Sequence, residues 1–155
     1  MNNDIKVLIV DDHPMIIEGY KNALLGINSD EMTLRIDTSD TCDGAYAKIK
    51  NASTGTPYDV VFLDIKLPPS KDGKIISGED LGIKVKELLP GTKVVILTMF
   101  NNNFRIHNIL KNINPDGFLV KSDVTSDELM RAFQVVLTDP PYYCHTVTKL
   151  LRTRI

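Results

Sequence analysis

The chain has 155 residues, 43% apolar and 25% charged, with a formal net charge of -2. A chain of this length closes one hydrophobic core, and its slightly acidic balance speaks against a dominant polyanion-binding role, which takes a basic surplus. No apolar run approaches the roughly 18 residues that a membrane span needs. The opening MNNDIK also lacks the basic-then-apolar plan of a secretory signal, so the expected location is the cytoplasm, without membrane contact.

In chain order, Ile5–Val10 (IKVLIV) reads as a first strand and is followed by a helix with Pro14 in its first turn and a stripe of Ile16, Tyr20, Ala23 and Leu24. Leu34–Ser39 is a second strand, and Cys42, Ala45, Ile49 and Ala52 mark a second helix. Val60–Leu63 (VVFL) is a third strand, followed by a long polar loop, Pro68–Ser77. Ser77 is placed to cap a third helix carrying Leu81, Val85, Leu88 and Leu89, which Pro90-Gly91 ends. Val94–Leu97 is a fourth strand, and Phe104, Ile106, Ile109, Leu110 and Ile113 predict a fourth helix closed by Asn114-Pro115. Gly117–Val120 is a fifth strand, and Thr125 with Glu128 forms a capping-box pattern before Leu129, Ala132, Phe133 and Val136.

Strands alternating with helices predict an α/β fold, a doubly wound five-stranded parallel sheet in the order 2-1-3-4-5. The continuous apolar strands fit a sheet covered on both faces. Residues 1–138 form the expected domain, and Asp139-Pro-Pro141 separates it from a tail, 139–155. Cys42 and Cys144 lie far apart with no C-x-x-C pattern and are expected to be reduced. His13, His107 and His145 are too scattered for a zinc site.

Ligands of such a sheet bind beyond the carboxyl ends of its strands. The first strand ends in Asp11-Asp12, the third in Asp64, the fourth in Thr98 and the fifth in Lys121. The second ends near Asp40, outside the central crevice. Alone, Asp12 is more often a helix cap, Lys121 a surface charge and Thr98 a strand-end residue. Independent capping does not, however, predict a cation opposite three acids. Two carboxylates about 4 Å apart repel by roughly 4 kcal/mol at an effective dielectric near 20, so the trio needs a cation. All-oxygen ligation suits magnesium (Mg2+). A metal held this way serves phosphate oxygens, with Lys121 as a second point charge and Thr98 as a hydrogen-bond donor to the same anion. Asp64 is then a candidate nucleophile for phosphoryl transfer.

The strings VLIVDDHP, VVFLDIKLP, VVILT and GFLVKS, in this order, resemble the signature blocks of bacterial response-regulator receiver domains over roughly residues 4–138. The resemblance implies a flavodoxin-like receiver fold acting as a phosphorylation-controlled switch rather than a turnover enzyme. It would be part of a two-component phosphorelay, accepting its phosphoryl group from a sensor histidine kinase. By that resemblance Asp64 is the phosphorylated aspartate, Asp11 and Asp12 hold the metal, and the backbone carbonyl of Lys66 completes the protein ligands. Thr98 and Lys121 take the phosphoryl-binding roles, and Phe118, three residues before the lysine, is the switch aromatic. Phe118 lacks a hydroxyl, so its rotation would rest on packing alone. The positions two beyond Asp64 and Thr98 are Lys66 and Phe100, which would flank the phosphoryl group; a bulky Phe100 is expected to slow attacking water. His13 is read as a helix-start residue.

The loop after Asp64 is longer than the family's pattern. Gly78, rather than Gly73, is read as the glycine opening the third helix, which makes Pro69–Ser77 an insertion with Lys71 and Lys74 near the site mouth, in a solvated loop. In the tail, Tyr143, Val147, Leu150 and Leu151 have helical spacing, and PPYYCHTVTKLL resembles the linker helix of NarL-type regulators of the LuxR class. There it leads to a helix-turn-helix domain, so DNA binding and transcription control are expected only through a domain absent here; Arg152 and Arg154 are too few to substitute for one. Homodimerisation on phosphorylation is expected through the face of the fourth helix, fifth strand and fifth helix. Two other classes fit less well: a haloacid-dehalogenase phosphatase wants D-x-D after the first strand, and a flavodoxin-like flavin carrier wants a Ser/Thr/Gly-rich loop there. An interaction module without phosphorylation is the third alternative.

Overall fold

The continuous apolar runs become the interior of a parallel sheet, because only strands covered on both faces can afford them. The computed structural model describes residues 3–99, 103–122 and 124–152. Strands β1 (Asn3–Val10), β2 (Met32–Ser39), β3 (Val60–Asp64), β4 (Lys93–Thr98) and β5 (Gly117–Val120) alternate with helices α1 (Pro14–Leu25), α2 (Cys42–Ser53), α3 (Gly78–Leu88), α4 (Asn103–Ile113) and α5 (Ser126–Thr138). All strand pairs are parallel, in the order β2-β1-β3-β4-β5. Every residue of β3 and β5 is buried, as are the last four of β1.

A short sixth strand, β6 (Tyr142–Tyr143), extends the expected five by pairing in parallel with β5, and α6 (His145–Leu151) follows it. Tyr143 therefore belongs to a strand and not to the tail helix that its spacing suggested. Helix α1 packs against α5, while α2 meets α3 and α3 meets α4. A Cβ on Gly117 would lie 3.1 Å from Val136 of α5, which assigns that side of β5 to the α1–α5 layer. Phe118, one residue on, faces the α4 side. None of the described helices is long and apolar enough to cross a membrane.

The helix starts follow their capping residues. Ser77 accepts from the Glu79 amide, and Thr125 accepts from the Glu128 amide at 3.1 Å. The Glu128 carboxylate is engaged by the Tyr142 hydroxyl at 3.0 Å. Phe104 departs from expectation: it is 61% exposed. At roughly 100° per residue it lies about 200° around the helix from Ile106, on the opposite side from the buried Ile106, Ile109 and Ile113.

The Pro69–Ser77 insertion is a closed turn rather than a loose loop. The Ser70 amide donates to the Ile75 carbonyl at 2.8 Å, Gly73 turns the chain at φ 71°, and the Lys71 amide donates to Asp43 of α2 at 3.1 Å. Ser70 and Ile75 are buried, while Lys71 and Lys74 are exposed. Neither lysine lines the acidic cleft described below; Lys74 borders a separate recess beside Asp43 and Tyr46.

Thr125→Ala removes a cap worth about 1 kcal/mol and should lower the thermal midpoint by about 2–4 °C. Thr125→Ser should restore most of the loss in the same melting experiment, and an unchanged midpoint for the alanine variant contradicts the capping role.

Candidate functional site

Strands β1, β3, β4 and β5 are neighbours, so their carboxyl ends open side by side. Asp11 follows β1 with its amide on the Ser39 carbonyl (3.1 Å); Asp64 and Thr98 are the last residues of β3 and β4; Lys121 follows β5 with its amide on the Thr98 carbonyl (2.7 Å). Asp11, Asp64 and Thr98 are all buried. Asp40, beyond β2, borders a different groove with Pro14 and Ile17, as the strand order requires.

The side chains meet in an open cleft of about 640 Å³ bordered by Asp12, Asp64, Lys66 and Lys121. The Lys121 ammonium, its side chain 3% exposed, lies 2.7 Å from Asp11 Oδ2 and 3.2 Å from Asp64 Oδ2. Asp12 is the more open acid, 32% exposed. The Lys66 amide donates to Asp64 Oδ1 at 3.1 Å. His13 occupies the helix-start position but does more than that: its amide and its Nδ1 contact Asp11 Oδ1 at 2.9 and 2.8 Å, and Nδ1 lies 3.0 Å from Asp12 Oδ1. Phe118 is fully buried on β5, three residues before Lys121. Phe100 lies outside the described residues.

Gly78 is held against the end of β3. A Cβ there would stand 2.0 Å from the Asp64 carbonyl oxygen and 2.8 Å from Ile65 Cα, and the Gly78 amide donates to the Ile65 carbonyl at 3.0 Å. The requirement is for close approach, since any side chain would push on the backbone of Asp64 itself.

Charge is out of balance in this cleft. Three carboxylates face one buried ammonium and the exposed His13. Asp11 Oδ2, Asp12 Oδ1 and Asp64 Oδ2 are buried and accept no well-directed hydrogen bond. Burial, and then the charge of Asp11, push the Asp64 carboxyl above the usual carboxylate range, against the pull of Lys121 and the Lys66 amide. One oxygen or nitrogen from each of Asp11, Asp12, His13 and Asp64 falls within 4.8 Å of the others. Three clustered carboxylates with one buried ammonium between two of them leave a surplus of negative charge that suits a hard divalent cation.

Two neighbours escaped the sequence reading. Met99, 59% exposed, borders the cleft directly after Thr98, a position its adjacency to the strand end would have disclosed. Tyr20 of α1 had been read as part of a core stripe. Its hydroxyl is buried without a partner, and burial together with the charges of Asp11 and Asp64 pushes its pKa up to about 12. No periodicity reveals that, because it depends on distance to two other strands.

Because the folded-state Asp64 carboxyl is raised, its ionised form opposes folding. The stability gained by protonating it is present at low pH and is lost as the pH rises from the ordinary carboxylate value through the raised one. Asp64→Asn should therefore unfold a few degrees higher than wild type at about pH 7 in a chelator, with the difference shrinking towards about pH 4. Thermal melts across that range check it, and a variant less stable than wild type at neutral pH contradicts it.

A profile of the response regulator receiver domain matches residues 7–134. The oxygen regulatory protein NreC of Staphylococcus carnosus is 28% identical over 138 residues, covering 89% of this chain and 57% of NreC. The chain thus spans little more than half the length of the curated relatives it matches. Among solved structures, the RcsB response regulator of Salmonella typhimurium, described for its conformational dynamism in DNA interaction, superposes with a TM-score of 0.78 at 25% identity, over 99% of this chain and 69% of that one. A LuxR-family two-component response regulator from Aurantimonas shares the fold at a TM-score of 0.74 and 19% identity, over 96% of each chain. The matched span begins inside β1 and ends inside α5, taking in all four strand ends that build the acidic cleft, and on that ground the chain belongs to the response regulator receiver domain family.

Proposed function

We propose that this receiver is cytoplasmic and is phosphorylated on Asp64 by a sensor histidine kinase, and that Mg2+ bound at Asp11, Asp12, Asp64 and the Lys66 carbonyl supports the transfer. The observation that carries the reading is the Asp64 carboxylate itself. One of its oxygens is held by the Lys66 amide, and the other is buried at the cleft 3.2 Å from the Lys121 ammonium. A carboxylate oxygen held in place at the cleft beside a fixed ammonium is poised as a nucleophile towards phosphorus.

In the transfer, an Asp64 oxygen forms a bond to phosphorus while the P–N bond to the donor imidazole breaks, and the protonated imidazole departs with that electron pair. Bound Mg2+ would neutralise the carboxylates and the phosphoryl oxygens in one place. Lys121 adds the fixed positive charge, held in position by the two acids it already contacts. Thr98, at the end of β4 and one strand away, supplies a hydroxyl to a phosphoryl oxygen. Water later attacks phosphorus and returns Asp64 to its carboxylate with release of inorganic phosphate. Phe118 serves as the packing-driven switch that reports the state of the site. The relatives are longer than this chain and RcsB is described for its DNA interaction, which supports an output through a separate DNA-binding domain, transcription control, and dimerisation on phosphorylation.

Intact-protein mass after treatment with a small phosphodonor tests the assignment. Wild type should gain one phosphoryl group only when Mg2+ is present, and Asp64→Asn should gain none. Equal gain in both would move the acceptor elsewhere, and no gain in wild type would leave an interaction module as the better reading.

A further inference from the structure

His13 is the N-cap of α1, with extended backbone (φ -107°, ψ 106°) and Pro14 after it. Ser, Thr, Asp and Asn suit such a position because their side chains accept from the free amides of the first turn. The His13 side chain does no such work, for it makes no capping hydrogen bond to α1. It is turned towards the acids instead, with Nδ1 2.8 Å from Asp11 Oδ1 and 3.0 Å from Asp12 Oδ1. Its backbone is fixed in that place twice over. The amide donates to the same Asp11 oxygen at 2.9 Å, and the following proline restricts His13 to extended conformations.

The same spacings are those of ligands around one ion. Atoms bound about 2.1 Å from an octahedral cation stand about 3.0 Å apart along each edge. Nδ1 and the two carboxylate oxygens already keep that separation, and an oxygen of Asp64 joins them with all four atoms within 4.8 Å of one another. Lys121 takes the far oxygen of Asp11, Oδ2, and leaves Oδ1 facing the ring. The count of positions also fits. Three acids and the Lys66 carbonyl fill four of six places, which leaves one for a nitrogen and one for a phosphoryl oxygen. The ring is largely exposed, so its proton can sit on Nε2 in water while the Nδ1 lone pair faces the acids.

We propose that His13 Nδ1 is a further ligand of the divalent cation in this cleft, making a mixed nitrogen and oxygen site that prefers a first-row transition cation such as Mn2+ to Mg2+. Oxygen ligands alone suit Mg2+, and an imidazole shifts the preference towards transition ions, which bind nitrogen more strongly. Mg2+ still fills the site when in excess. This rests on the reading of Asp11, Asp12 and Asp64 as the cation's ligands.

Mn2+ binding to the unaltered chain tests this, with free Mn2+ read from its electron paramagnetic resonance and Mg2+ measured by competition. Wild type should bind Mn2+ about tenfold more tightly than Mg2+ or better, and His13→Ala should lose about tenfold in Mn2+ affinity but much less in Mg2+ affinity. Pulsed resonance of Mn2+-loaded wild type should show one directly bound nitrogen, and that coupling should vanish in His13→Ala. The wild-type spectrum decides the matter even if the variant folds poorly. Mn2+ bound without nitrogen coupling overturns the proposal and leaves the acidic cation site standing. A coupling that survives in His13→Ala overturns it too, since the nitrogen then belongs to another residue. Equal losses for both ions would make the ring a mere support for Asp11, and tighter binding of both in the variant would make it a stand-in for the cation; either result contradicts ligation. If neither ion binds, or if Asp12→Asn binds both as wild type does, the reading of the acids has failed and the proposal falls with it.

Discussion

The buried ammonium of Lys121, shared between Asp11 and Asp64 at 2.7 and 3.2 Å, is the contact on which the rest of this site depends. Two carboxylates buried side by side without it would each carry a desolvation cost of several kcal/mol with no return. With it the two acids share one cation, yet the balance stays negative, since Asp12 adds a third carboxylate and His13 is exposed. Burial first, and the neighbouring carboxylate charge after it, raise both the Asp64 carboxyl and the Tyr20 hydroxyl. A core that stores charge in this way responds strongly to an added cation or anion, which is what a phosphorylation switch requires.

Much of this was legible because charge and periodicity occupy different parts of the sequence. IKVLIV, VVFL and VVIL announce buried strands, and the charged residues that follow them fall at strand ends by necessity. Once the order 2-1-3-4-5 is assumed, Asp11, Asp64, Thr98 and Lys121 can only be neighbours. Gly78 was legible for a related reason: the apolar stripe beginning at Leu81 sets the start of α3, and that start must pass close to the residue it follows in space. A Cβ at Gly78 would stand 2.0 Å from the Asp64 carbonyl oxygen, which gives the reason in atoms.

What the sequence hid has no period or depends on contacts between distant segments. Two residues of β6 carry no alternation to detect, and Tyr143 fits a helical stripe equally well. The polar composition of Pro69–Ser77 describes a loop, but its closure depends on the Ser70–Ile75 pairing and on Asp43 from α2. The His13 ring takes its meaning from Asp11 and Asp12 at 2.8 and 3.0 Å, a matter of rotamer rather than residue type. Phe104 misled because apolar character was counted without its angle around the helix.

The acid trio carries more negative charge than Lys121 can balance, and a hard divalent cation would complete it. The most direct test is the thermal midpoint of the unphosphorylated chain as Mg2+ is added to chelator-treated protein. A ligand that binds only the folded state at a hundredfold over its Kd adds about 3 kcal/mol, so wild type should rise by several degrees and Asp12→Asn by much less. A wild-type midpoint indifferent to Mg2+, or an equal rise in both proteins, would contradict the account.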